Sequence, residues 1–311
     1  MIKTIQINLL NKCTSRCMTC RKYTWPDDHI DYDVLKRTIE FLHKQGLTSI
    51  CFSGGEPLMY YKIKELVNLC YDLGIKFSFI TTAIVNPDLF KFIVSKANRL
   101  HISIDSNDPN TYKFIRGVDG LDVVKRNIKL VSGDHKNCEI RISTTISNLN
   151  YNEFDELFDF AKENDCLINF YMVHEHDEFF LNEDQKKVMY DKLRKISEMD
   201  TDGISNAHII TNEKESYNHV HDDFDCVIPH YHCLINANGD IYPCCKLLND
   251  NGEYGDQIKY VYGNINNEDL EKEFEKRFDN KYYALSYCNG CEERYISRLE
   301  DVKKGIVKDF L

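Results

Sequence analysis

Apolar, strand-like runs alternate with amphipathic stretches along much of the 311-residue chain, and this alternation is its strongest constraint on fold. Strand-like runs at Ile5 to Leu10, Ser49 to Phe52, Lys76 to Thr81, Arg99 to Ile104, Glu139 to Ile146 and Leu167 to Val173 are each followed by a helix signal. Those signals lie near Tyr32 to Lys44, Lys62 to Leu73, Pro87 to Ser95, Gly120 to Val131, Asn152 to Asn164 and Glu183 to Ile196. Parallel strands need long crossover connections, so six such βα units predict a parallel sheet flanked by helices.

Directly after the first strand, Cys13, Cys17 and Cys20 form a C-x3-C-x2-C run. Three thiolates on one short loop suit a single metal centre. Cysteines in short spacings make zinc sites and iron–sulfur sites alike, so both remain open at this point. On a four-iron cluster, three protein ligands leave one iron for a ligand that is not protein. A second motif follows the second strand, Ser53-Gly54-Gly55-Glu56-Pro57, where paired glycines allow close approach of backbone to a ligand.

With both motifs present, the chain resembles the radical S-adenosylmethionine superfamily at these residues. The resemblance implies that Cys13, Cys17 and Cys20 hold a 4Fe-4S cluster and that Gly54, Gly55, Glu56 and Pro57 bind the methionine amino group. It further implies that an external one-electron donor, such as flavodoxin or ferredoxin, drives cleavage of S-adenosylmethionine to a 5'-deoxyadenosyl radical, which abstracts a substrate hydrogen. The implied architecture is an open, partial (β/α)6 TIM-like barrel. In such barrels chemistry sits at the C-terminal strand ends, where both motifs fall. The family often has an aromatic residue just before the third cysteine, beside the adenine. Here that position is Thr19, with Tyr23 and Trp25 as substitutes.

Later strands carry weaker signals. Ser103 and Asp105 match the family's fourth strand, where such residues reach ribose hydroxyls; alternation puts them on one face while Ile102 and Ile104 meet the helices. Arg141 and Ser143 on the fifth strand are candidates for the methionine carboxylate, although a structural ion pair explains Arg141 equally well. Thr81 and Thr82 either line the pocket or make turn hydrogen bonds. His174 and Glu175 follow the sixth strand, as a substrate rim or a solvated acidic loop.

The C-terminal part has its own cysteines. Asn238-Gly239 between Leu234-Ile235 and Ile241-Tyr242 predicts a β-hairpin with a type I' turn, ending near Cys244. Cys226, Cys244, Cys288 and Cys291 resemble the ligands of a twitch domain, the shortened relative of the SPASM domain, which implies an auxiliary 4Fe-4S cluster; zinc is the alternative for four such cysteines. The expected organisation is a radical S-adenosylmethionine core at 1–200 and a small α+β twitch domain at 201–311. Of the remaining cysteines, Cys51, Cys70, Cys138 and Cys166 read mostly as buried apolar residues, while Cys233 and Cys245 carry more weight as thiols. Cys245 is the first candidate for a hydrogen-donating thiol, as used by epimerases of the family.

A net charge of -11 and a pI near 5.5 oppose a nucleic-acid partner. Thirteen cysteines without a signal-peptide apolar region point to reduced thiols, and no segment reads as a membrane span, so the cytoplasm is the expected compartment. The expected reaction is hydrogen abstraction from a polar carbon, for oxidation or epimerisation of a sugar or aminocyclitol. A ribosomally made peptide is the alternative substrate, and a zinc-binding scaffold protein the alternative of another class.

Overall fold

The structure is a computed structural model, and it describes residues 2–20, 22–135, 137–173, 176–212, 231–244 and 261–276. The described elements run β1 (Thr4–Asn8), α1 (Tyr32–Lys44), β2 (Ser49–Ser53), α2 (Ile63–Asp72), β3 (Lys76–Thr81), α3 (Pro87–Val94), β4 (Arg99–Ser103), α4 (Pro109–Arg116) and α5 (Leu121–Val131). Then follow β5 (Glu139–Ile146), α6 (Asp155–Glu163), β6 (Leu167–Met172), α7 (Glu183–Met199), α8 (Ala207–Asn212), β7 (His232–Ile235), β8 (Asp240–Tyr242), β9 (Gly263–Asn264) and α9 (Leu270–Glu275). This is a mixed α/β fold with an open sheet, parallel in its β1–β2, β1–β7, β4–β5 and β5–β6 pairs and antiparallel along β7, β8 and β9, with β6 and β9 as edge strands.

Helices α1, α3, α4, α7 and α9 begin where a side chain satisfies one or more of their first N–H groups. Asp31 accepts from the N–H groups of Asp33 and Val34 at the start of α1. Asn86 and Asp108 cap α3 and α4, each with proline at the first helical position, and Asn182 forms a capping box with Gln185 on α7. Helix α1 buries Leu35, Thr38, Ile39 and Leu42, the spacing of one helical face. Burying each of its leucines and isoleucine contributes about 1.5–3 kcal/mol. Helix α4 is an element that the strand–helix alternation does not predict; it occupies the connection from β4 to α5.

Two compact units make up the chain. The first contains the described residues of Met1–Lys12, Trp25–Ser78 and Tyr217–Leu311. Its β1 lies parallel between β2 and β7, with Asn8 opposite Ser53 and Ile7 opposite both Phe52 and Ile235. All five residues of β2 are buried, as expected of a parallel strand covered on both faces. The second unit comprises Cys13–Thr24 and Phe79–Ser216; its strands β4, β5 and β6 pair in parallel, with Ser103 level with Ser143 and Asn169.

The hairpin of β7 and β8 is present, and its turn differs from the expected type I'. Gly239 donates its N–H to Asn236 O at 2.8 Å and has φ +90°, whereas Asn238 is not among the residues with positive φ. The loop therefore has three residues, a turn followed by a left-handed glycine. The Asn238 side chain accepts from Asp240 N at 3.1 Å, which fixes this alternative without left-handed backbone at Asn238. Hairpin strand β7 also continues the sheet of the first unit beside β1.

Candidate active site

Both N-terminal motifs leave the C-terminal ends of paired strands. Where β1 and β2 end, their continuations stay joined: Leu9 N–H donates to Ser53 O at 3.0 Å, Gly55 N–H to Leu10 O at 2.7 Å and Glu56 N–H to Lys12 O at 2.9 Å. A Cβ at Gly54, where φ is +123°, would strike Leu10 O, and one at Gly55 would strike the carbonyl oxygens of Asn11 and Lys12. Close approach is thus required between backbone and backbone, directly ahead of Cys13. The two glycines therefore space two backbones, a task separate from any approach to a ligand. Glu56 is fully buried, and its Oε1 accepts from Leu58 N at 3.1 Å, capping the 3-10 turn Pro57–Met59.

In the second unit, the cysteine run is docked on the end of α4. Arg16 N–H donates to Arg116 O and Met18 N–H to Ile115 O, both at 2.9 Å, so loop amides satisfy carbonyls that the end of a helix leaves unpaired. Gly117 follows α4 with φ +63°, and a Cβ there would lie 2.7 Å from Arg16 O. Gly117→Ala should therefore cost about 1–3 kcal/mol of stability through left-handed strain alone. It should also displace the cysteine loop. A thermal unfolding scan, together with iron retained per chain after reconstitution, reads both effects.

The three thiols are partly exposed. Ser15 N–H donates to Cys13 Sγ at 3.4 Å, Arg116 Nη1 donates to Cys17 Sγ at 3.6 Å, and Cys20 N–H closes a turn onto Cys17 O at 3.2 Å. Burial raises the Cys17 thiol above its ordinary pKa against the opposing pull of Arg116. Donors aimed at sulfur are what cluster thiolates require, so these residues fit the implied 4Fe-4S cluster. Among the described residues, no three His, Cys, Asp or Glu side chains converge as ligands of one metal ion.

Ser103 and Ser143 end up side by side and half-buried on β4 and β5. Asp105 is buried, with Oδ2 2.7 Å from Arg116 Nε and Oδ1 accepting from Thr145 N at 2.9 Å. Arg141 lies level with His101, two residues before Ser143, and pairs with Glu139 at 2.7 Å; Glu139 also pairs with Arg99. The structural ion pair is therefore present. His101 is pushed down to a pKa of about 4 by burial, then by Arg141 and Arg99. Thr81 and Thr82 accept from the N–H groups of Ala83 and Ile84, the turn role. Trp25 packs with Leu234 and Tyr242, while Tyr23 is exposed beneath the Arg16 guanidinium, 5.5 Å from its ring centroid.

Arg116 is the residue of this region that the sequence reading missed. Its only local signal is a helix-ending Arg-Gly step, and its partners Asp105 and Cys17 are remote or patternless in sequence. Cys51, Cys70, Cys138 and Cys166 are buried as expected, Cys233 is buried on β7 as well, and burial pushes the thiols of Cys70, Cys138 and Cys166 up to about 12. Cys244 follows β8 and is partly exposed. His174, Glu175, Cys226, Cys245, Cys288 and Cys291 lie outside the described residues.

The fold and the three-cysteine loop agree with what two family models match. The model of the radical SAM superfamily matches residues 7–161, and that of the SPASM iron–sulfur cluster-binding domain matches residues 226–292. The chain belongs to the radical SAM superfamily and is an enzyme of it, with a 4Fe-4S cluster and S-adenosylmethionine as cofactors and an auxiliary iron–sulfur cluster in its SPASM segment.

An S-adenosylmethionine-dependent nucleotide dehydratase of Selenomonas ruminantium is 30% identical over 165 residues, which is 49% of this chain and 60% of that protein. A probable GTP 3',8-cyclase of Methanothermobacter thermautotrophicus is 24% identical over 172 residues, 54% of this chain and 56% of that protein. The matches thus span little more than half the length of these relatives. Streptococcus suis SuiB bound to S-adenosylmethionine shares the fold with TM-score 0.66 and 19% identity, over 88% of this chain and 66% of SuiB. The anSMEcpe structure with bound AdoMet and Cp18Cys peptide gives TM-score 0.65 and 16% identity, over 90% of this chain and 83% of that one. Among the described residues, no helix is long and apolar enough to cross a membrane.

Proposed function

We propose that this enzyme abstracts a hydrogen from a polar, hydroxyl- or amine-bearing ring carbon, leading to oxidation or epimerisation of a sugar or aminocyclitol. The observation that supports the hydrogen-abstraction part of the reading is the backbone ladder from Ser53–Glu56 to Leu9–Lys12, which sets the glycine motif beside the chain entering the cysteine run. Bound together, the cluster and S-adenosylmethionine supply a 5'-deoxyadenosyl radical when an external donor, such as flavodoxin or ferredoxin, delivers one electron.

The chain's own residues then have separable tasks. Cys13, Cys17 and Cys20 hold the cluster, and Gly54 to Pro57 hold the methionine end. Ser103 and Ser143, level on neighbouring strands, bind ribose hydroxyls and the methionine carboxylate, beside the Asp105 and Arg141 positions that the family pattern also marks. His174 and Glu175, following β6, form the substrate rim. Cys226, Cys244, Cys288 and Cys291 hold the auxiliary cluster, and residues 1–200 and 201–311 are the corresponding functional divisions.

Two similar proteins are named for nucleotides, whose ribose is itself a hydroxylated ring, and this supports the sugar-like substrate class. A ribosomal peptide is the second reading, supported by a shared fold with SuiB, whose structure with the precursor peptide SuiA matches 88% of this chain. Substrates deuterated at the ring carbon or at peptide α-carbons separate the two. Deuterium appearing in 5'-deoxyadenosine from the cyclitol or sugar supports the first reading; transfer from peptide alone overturns it.

If the outcome is epimerisation, Cys245 supplies the returning hydrogen atom. The substrate radical gains a C–H bond, the S–H bond breaks, and one electron and one proton restore the thiol, the electron coming from the external donor. Cys245→Ala should then abolish epimer formation while leaving 5'-deoxyadenosine release within about twofold of wild type. Unaltered product formation excludes this thiol.

A further inference from the structure

Arg116 holds a buried position between an acid and a thiol. Its side chain is 11% exposed and that of Asp105 3%, with Nε and Oδ2 2.7 Å apart, while Nη1 donates to Cys17 Sγ at 3.6 Å. Asp105 is itself anchored, because its other oxygen accepts the Thr145 N–H of β5. Arg116 is the last residue of α4, and its carbonyl accepts the Arg16 N–H, so backbone and side chain are both fixed against the cysteine loop.

The side chain is not needed to dock that loop. Two backbone hydrogen bonds, Arg16 to Arg116 and Met18 to Ile115, already join loop to helix and would survive any substitution that keeps the helix. What the guanidinium adds is a directed N–H and a positive charge on one sulfur. Asp105 adds the balancing negative charge one step further away. Hydrogen bonds to the sulfurs and local net charge are the levers by which a protein sets the potential of an iron–sulfur cluster.

We infer that Arg116 is a positioning residue that fixes the Cys17 thiolate on the cluster and raises the cluster's reduction potential, with Asp105 acting through Arg116 to restrain that rise. The inference rests on Cys17 being a cluster ligand. A guanidinium on the sulfur favours the reduced, more negative cluster; removing it leaves Asp105 uncompensated and disfavours reduction. Removing the Asp105 charge has the opposite effect.

The test uses the full-length enzyme reconstituted with iron and sulfide, comparing wild type, Arg116→Gln, Arg116→Lys and Asp105→Asn. Iron per chain is counted, and EPR during stepwise reduction follows the signal that changes when S-adenosylmethionine is added. Arg116→Gln should lower the midpoint potential and Asp105→Asn should raise it. Arg116→Lys, which keeps the charge, should stay nearer wild type than Arg116→Gln. Shifts of opposite sign are not produced by mere loosening of the loop. If Arg116→Gln fails to assemble a cluster, Asp105→Asn still decides by the direction of its shift. Unchanged potentials, or a lowered potential in Asp105→Asn, overturn the inference. Absence of an S-adenosylmethionine-responsive signal in wild type overturns instead the reading of Cys17 as a ligand.

Discussion

Gly55→Val should lower cleavage of S-adenosylmethionine at least about a hundredfold. Even the Cβ of alanine at this position would strike the carbonyl oxygens of Lys12 and Asn11, which are backbone atoms with no rotamer to yield. The clash would break the Gly55 to Leu10 and Glu56 to Lys12 hydrogen bonds, each worth about 0.5–1.5 kcal/mol net, and push the glycine motif away from the chain that enters Cys13. A positioning error of about 1 Å can cost on the order of a hundredfold in rate. The expected result is 5'-deoxyadenosine release lowered at least about a hundredfold, with iron content retained because the cysteines are untouched. Cleavage within a few-fold of wild type would show that the ladder does not set the site.

Loss of all three loop cysteines has an equally large and chemically distinct effect. Replacing Cys13, Cys17 and Cys20 by alanine removes every thiolate proposed to hold the N-terminal cluster, so cofactor cleavage should fall to background. The fold should survive, because the thiols are only partly buried and the loop's docking on α4 uses backbone atoms. Circular dichroism of the variant checks that expectation separately from its chemistry. The auxiliary cluster, on different residues, should remain.

The sequence made much of this legible because both motifs are short and local. Cysteines three to seven residues apart, and glycines directly following an apolar run, announce a site without any knowledge of packing. The parallel sheet was legible for the same reason, since strand and helix periodicities are local. Remote partnerships were not. Nothing near Arg116 points to Cys17, 99 residues earlier in the chain, and strand–helix alternation does not reveal α4, although Asp108-Pro109 and Gly117 mark its two ends. The role of Gly55 in spacing two backbones likewise depends on register between β1 and β2, which periodicity does not encode.

Side-chain competition sets other details that local pattern leaves open. Asn238-Gly239 can form a two-residue or a three-residue hairpin loop, and the choice follows a hydrogen bond from Asp240 N to the Asn238 side chain. Trp25 packs against Leu234 and Tyr242, more than two hundred positions away in sequence. Arg141 pairs with Glu139 on its own strand, the ion pair that the sequence left open beside a ligand role.

The central claim is that two iron–sulfur clusters occupy separate cysteine sets and that the N-terminal one carries the radical chemistry. Its most direct test is to reconstitute the enzyme anaerobically with iron and sulfide, count iron per chain, and assay dithionite-dependent 5'-deoxyadenosine release in wild type and in the variant lacking Cys13, Cys17 and Cys20. The account predicts about eight irons in wild type and about four in the variant, with release lost in the variant. Nucleoside release persisting without those three cysteines would contradict it.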